Sequence, residues 1–202
     1  MANNCTTDYY LIGSKQNVEA ACAALQALLQ IDRPFVHNSY ESDNNWCGYI
    51  ATDILGNAWE DVCCRGLFYD PDVVELAGGY ACSVTTDTAW SPCTELWQMF
   101  AKKFNLSLNW YASEPGSLYY EKVNPDNVFP FDIYYNDDDG EELFDSVEEF
   151  IASLGAQYEL KPGMDFETVR SIVSANDDCI FTRIKDSTHG INDDDNATTT
   201  TD

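Results

Sequence analysis

The chain changes its hydrophobic period early, and that change narrows the folds open to it. Residues 7–13, Thr-Asp-Tyr-Tyr-Leu-Ile-Gly, have the aromatic and β-branched content of a strand. Ser14 follows as a helix-capping candidate, and Val18, Ala21, Cys22, Leu25, Leu28 and Leu29 then recur at three- and four-residue spacing through Ile31. Pro34 forbids continuation of that helix. A strand followed by an amphipathic helix has one apolar face on each, so the expected class is α+β.

The same switch recurs downstream. After Gly78-Gly79, residues 80–86 alternate as a strand should. Ser91 is placed to accept the orphan amide hydrogens of a second helix, with Pro92 at its first position and Cys93 at its second. Leu96, Trp97, Phe100 and Phe104 form the buried stripe, and Lys102 and Lys103 suit the dipole at the C-terminal end. Residues 106–111, 118–123 and 128–135 read as further strands, with a turn at Glu114-Pro115-Gly116-Ser117. Residues 35–80 carry only short apolar pieces between Asn, Asp, Gly and Pro, so loops and short strands are expected there.

Composition shifts after Tyr135. Residues 137–202 hold 18 acidic and 4 basic side chains, net −14, whereas residues 1–136 hold 17 and 6, net −11. Ser146-Val147-Glu148-Glu149 matches a capping box that opens a helix through Phe150, Ile151 and Leu154, ended by Gly155. Asp165 caps another helix that faces Val169, Ile172 and Val173 inward, and residues 179–184 read as a strand. Residues 192–202 have almost nothing to bury and are expected to be mobile. The expected organisation is a domain over 1–135, a small acidic helix-and-strand module over 136–186, and an acidic tail over 187–202.

The order strand, helix, loops, strand, helix, strand over residues 5–112 is the split βαβ pattern of a ferredoxin-like fold. Read with Met1-Ala2-Asn3-Asn4-Cys5, Gly13, Asn45-Trp46-Cys47-Gly48, Thr88-Ala89-Trp90-Ser91-Pro92 and Glu114-Pro115-Gly116, the chain resembles a family of uncharacterised ferredoxin-like proteins of bacteriophages and bacterial mobile elements. The resemblance covers roughly residues 1–135 and implies an architecture and a mobile-element setting, with no reaction attached. Asn4 and Cys93 depart from the family pattern, which favours tryptophan and a second proline there, and its Asn-Trp-Gly block is tighter than the segment around Trp46.

The net charge of −25, from 35 acidic and 10 basic residues, excludes direct grip on nucleic-acid phosphate or an anionic membrane, both of which depend on Lys and Arg. Neither a secretory leader nor an apolar run of bilayer length is read, so the expected location is the cytoplasm, with all eight cysteines reduced. The sequons at Asn4, Asn105 and Asn196 are idle in that compartment. Cys63-Cys64 is adjacent rather than spaced, Cys-x-x-Cys is absent, and His37 and His189 lack partners at ligand intervals; no metal or cofactor is expected. Cys93, at the start of a helix, is either a reactive thiol or a packed small side chain. Phosphate loops and a Gly-x-Ser-x-Gly elbow are absent. Placing Gly140 at the sixth position of a calcium loop puts Tyr135 first and Ser146 twelfth, so a solvated Asp-Gly turn is the better reading.

The carboxylates themselves remain to be explained, either by solubility or by recognition. The expected function is that of a non-enzymatic interaction protein that binds a basic host protein, such as a defence nuclease, by imitating nucleic-acid charge. Asp137, Asp138, Asp139, Glu141, Glu142, Glu148 and Glu149 are the candidate partner-binding residues. The alternative is a small enzyme or ligand-binding domain with a pocket near residues 35–90, about Trp46, Trp59 and Trp90.

Overall fold

Ser14 stands where one period gives way to the other. Its backbone is extended and its hydroxyl accepts the N–H of Asn17 at 3.3 Å, which turns strand β1 (Asn4–Gly13) into helix α1 (Lys15–Leu29). The computed structural model describes residues 3–33, 43–175 and 179–188. They divide into two units, Met1–Val128 with Ser187–Asp202, and Phe129–Asp186. Both belong to the α+β class.

In the first unit, α1 is followed by β2 (Gly66–Leu76), β3 (Gly79–Ala89), α2 (Thr94–Phe104), β4 (Ser107–Glu114) and β5 (Tyr119–Val123). These strands lie in the order β2-β3-β1-β4-β5, every neighbouring pair antiparallel. Cys5, Thr7, Tyr9 and Leu11 alternate into the interior from the central strand β1. There Tyr9 stacks on Trp97 of α2 at 4.7 Å between ring centroids. Val18, Ala21, Cys22, Leu25 and Leu28 of α1 complete the core with Leu96, Trp97 and Phe100 of α2, as their spacing requires.

Two local expectations need correction. Residues 35–80 do not hold only short strands: β2 runs for 11 residues, and its register shifts between Tyr69 and Asp72. Asp70-Pro71-Asp72 reads as a break because proline cannot donate to a ladder, yet β2 is an edge strand and accommodates the irregularity as a bulge. Helix α2 begins at Thr94 with Cys93 as its N-cap, two residues beyond the Ser91 cap expected from sequence. Trp90 takes a left-handed φ of +73°, and the Ser91 carbonyl accepts the Thr88 hydroxyl at 2.9 Å, so a turn intervenes before the helix starts.

In the second unit, β6 (Ile133–Asp137), β7 (Gly140–Phe144) and β8 (Ile180–Arg183) form a sheet in the order β7-β6-β8, covered by α3 (Val147–Leu154) and α4 (Phe166–Val173). Ser146 caps α3 and Asp165 caps α4, as expected. The division between units falls at Phe129 rather than after Tyr135. The strand read over 128–135 is displaced to Ile133–Asp137, where Ile133 and Tyr135 are needed as inward residues of the second sheet. The tail over 192–202 lies outside the described residues.

Phe150 is the hub of this smaller core, with ring centroids 4.6 Å from Phe181, 5.2 Å from Phe144 and 5.3 Å from Tyr135. Phe150→Ala is expected to cost the second unit about 3–5 kcal/mol in denaturant unfolding. Leu143→Ala, on the exposed side of the same unit, should stay within about 0.5 kcal/mol.

Candidate functional site

The carboxylates singled out in sequence gather on the β6–β7 hairpin and the first turn of α3. Asp138 and Asp139 form the turn, and Gly140 takes a φ of +132° that a side chain would strain. Asp137 accepts the N–H of Asp139 at 2.9 Å and the Tyr135 hydroxyl at 2.5 Å, and the tyrosine bond is the main reason its carboxyl sits below the usual carboxylate range. Glu149 accepts the N–H of Asp145 at 2.7 Å while its own N–H bonds the Ser146 hydroxyl at 3.2 Å. These two carboxylates therefore hold the local fold together.

The other five, Asp138, Asp139, Glu141, Glu142 and Glu148, are exposed and have no side-chain partner among the described residues. Glu141 lies opposite Asn136 and Glu142 opposite Tyr135, so consecutive residues of β7 face opposite sides of the sheet. The result is an acidic rim along an edge strand, not a flat anionic face. Residues 129–186 carry 15 acidic and 4 basic side chains, net −11, nearly matching the −10 spread over residues 1–128.

Behind the rim lies a chain of hydroxyls. Tyr135 and Tyr158 are 2.5 Å apart through their oxygens, and Tyr158 reaches the Cys179 sulfur at 3.3 Å. Burial, reinforced by the bonds to Asp137 and Tyr158, pushes the Tyr135 hydroxyl up, so it remains a donor at neutral pH.

The three candidate pocket tryptophans are only partly brought together. Trp46 is buried and packs edge-on against Trp59 at 5.7 Å and Tyr49 at 5.2 Å. The Arg33 guanidinium lies over the Tyr49 ring at 3.2 Å and bonds Asp53 at 2.8 Å. Trp90 is 52% exposed and makes no ring contact among the described residues.

A cavity of about 340 Å³ opens instead just beyond Trp90, between the start of α2 and the β4–β5 pair. Ser91, Pro92, Thr94 and Gln98 form one side, and Trp110, Tyr119, Glu121 and Val123 form the other with Ser187. The N–H of Ser187 bonds the Lys122 carbonyl at 2.9 Å, and its hydroxyl bonds the Glu121 carboxylate. Glu121 also accepts the Tyr119 hydroxyl at 2.6 Å, and burial raises that hydroxyl above the usual tyrosine range. Trp110 is 3% exposed, and its indole N–H finds no acceptor among the described residues. Sequence reading missed this site, although alternation over residues 118–123 already puts Tyr119, Glu121 and Val123 on one face. A second groove, of about 360 Å³, is lined by Gly78, Gly79 and Asp126, whose carboxylate already accepts the Asn109 amide at 2.7 Å.

Among the described residues, no group of three or more His, Cys, Asp or Glu is placed to hold a metal ion. No described helix is long and apolar enough to cross a membrane. His37 and His189 lie outside the described residues. The chain matches none of the family models, curated proteins or solved structures with which it was compared.

The Asp137 bonds carry a pH signature. A carboxyl held low in the fold stabilises it at neutral pH and ceases to do so as pH falls through the folded-state value. Asp137→Asn should lower the melting midpoint at pH 7, with the gap from wild type closing below about pH 4, whereas Asp138→Asn should change it little at either pH.

Proposed function

We propose that the chain is a non-enzymatic acidic interaction protein that captures a basic partner through the rim built by Asp138, Asp139, Glu141, Glu142 and Glu148. The observation that carries this reading is the exposure of five unpartnered carboxylates around one hairpin and one helix start, in a segment of net charge −11. Packing such charges together costs self-repulsion that a cationic partner relieves, and carboxylates beside a sheet edge offer the spaced negative charge that a nucleic-acid-binding groove accepts. Asp137 and Glu149 are left out of the contact set because their oxygens are engaged within the fold.

The architecture proposed with it is ferredoxin-like. What supports this is the antiparallel order β2-β3-β1-β4 with a helix after β1 and another after β3, the split βαβ arrangement. The bacteriophage and mobile-element setting, the host cytoplasm and a host nuclease as the basic partner rest on the sequence resemblance and belong to the same proposal.

Capture from a host lysate tests it, with wild type compared against the chain in which these five residues are changed to lysine. Wild type should retain basic proteins that elute as salt rises, and the variant should retain none of them while keeping its melting transition. Equal retention by both would end the proposal.

The orphan indole N–H of Trp110 favours a second reading, a ligand-binding domain seated at the α2–β4–β5 cavity. An indole donor at the wall of such a cavity suits a planar molecule that carries a carbonyl acceptor. Adding cytosine or uracil, planar bases that each carry a carbonyl acceptor, should shift the Trp110 side-chain N–H resonance. An unmoved resonance with both bases rejects this ligand class.

A further inference from the structure

The eight cysteines are free thiols, and two of them from distant parts of the chain meet. Cys63 lies in the loop after a single 3₁₀ turn (Trp59–Asp61), and Cys93 caps α2; their sulfurs are 3.6 Å apart. Cys63 is exposed, whereas Cys93 is 1% exposed. The loop is tied to the end of β3, where the Ala89 N–H bonds the Arg65 carbonyl at 3.1 Å, and it is tightened by the Gly66 N–H, which bonds the Cys64 carbonyl at 3.0 Å. Cys64 is the sequence neighbour but not the partner, since its sulfur points to the Trp59 carbonyl at 3.5 Å.

We propose that Cys63 and Cys93 form a peroxide-responsive thiol–disulfide site, with Cys63 the thiol that meets the oxidant and Cys93 the thiol that resolves it. The Cys63 sulfur attacks one oxygen of hydrogen peroxide, the O–O bond breaks, and water leaves with the thiol proton, giving a sulfenic acid. The Cys93 sulfur then attacks the Cys63 sulfur, the S–O bond breaks, and a second water carries off the Cys93 proton. Two thiols lose two electrons in total and one peroxide gains them. The two sulfurs stand 3.6 Å apart, already in contact, and the disulfide brings them to roughly 2.05 Å.

The division of roles follows from access. Burial pushes the Cys93 thiol up, so it stays protonated and unreactive until an electrophilic sulfur is made beside it, and the Arg65 backbone N–H is there to receive the developing thiolate. Cys22 and Cys82 are also neighbours, but both are sealed in the core, so peroxide has no route to them. The disulfide closes a loop from residue 63 to residue 93 and fastens it to the first turn of α2, beside Ser91 and Thr94 of the cavity wall.

Treating the reduced full-length chain with one equivalent of hydrogen peroxide, alkylating it after unfolding and mapping its peptides by mass spectrometry tests the site. The expected product is a single cross-linked pair joining Cys63 to Cys93, two hydrogens lighter, with the other six cysteines alkylated and dithiothreitol restoring all eight. Cys93→Ser should stop at a Cys63 sulfenic acid trapped by dimedone, and Cys64→Ser should leave the cross-link intact. Recovery of Cys63 as sulfinic or sulfonic acid, or joined to Cys64, with Cys93 alkylated in wild type, would overturn the proposal whether or not the variants fold.

Discussion

The contact on which the first unit depends is that between the inward face of β1 and the two helices laid over it. Tyr9 and Leu11 sit at the centre of the sheet, and Tyr9 meets Trp97 ring to ring, so one strand anchors α2 while its continuation starts α1. Burying side chains of this size supplies the hydrophobic term that a chain of net −25 needs, since its surface charges repel one another more than they attract. Carboxylates are placed outward, and where one is turned toward the protein it is satisfied: Glu114 accepts the N–H groups of Gly116 and Ser117, and Glu121 accepts two hydroxyls.

The second unit solves the same problem with aromatic rings around Phe150 and shows how charge and fold divide the acidic residues between them. Asp137 and Glu149 are structural because backbone N–H groups at a turn and at a helix start need acceptors, and carboxylates at those positions supply them. Asp138, Asp139, Glu141, Glu142 and Glu148 are left to solvent, and Glu141 and Glu142 lie on an edge strand where charge also discourages pairing with another chain. One stretch of carboxylates thus serves both the fold and the surface, and composition alone does not separate the two roles.

Elements with a clean period and a cap were legible in the sequence: α1 from its stripe and Ser14, α3 from its capping box, and the hairpin turn from Asp139-Gly140. β2 was not, because Pro71 and its flanking aspartates resemble a loop until the strand is known to lie at an edge. The start of α2 was misplaced because Trp90 adopts a positive φ, which its residue type gives no reason to expect. Of the candidate tryptophans, Trp46 and Trp59 meet ring to ring, while Trp90, in the turn before α2, makes no ring contact among the described residues.

Residue order by itself determined the inward stripes of the helices, where α1, α3 and α4 start and that the surface is anionic, because periodicity, capping and charge are local properties. Tertiary structure decided that Trp110 borders a cavity with Glu121, that Cys63 meets Cys93, and that Glu141 and Glu142 part to opposite faces. Those outcomes follow from strand order and register. Both are chosen by long-range burial and loop closure rather than by any neighbour in the chain.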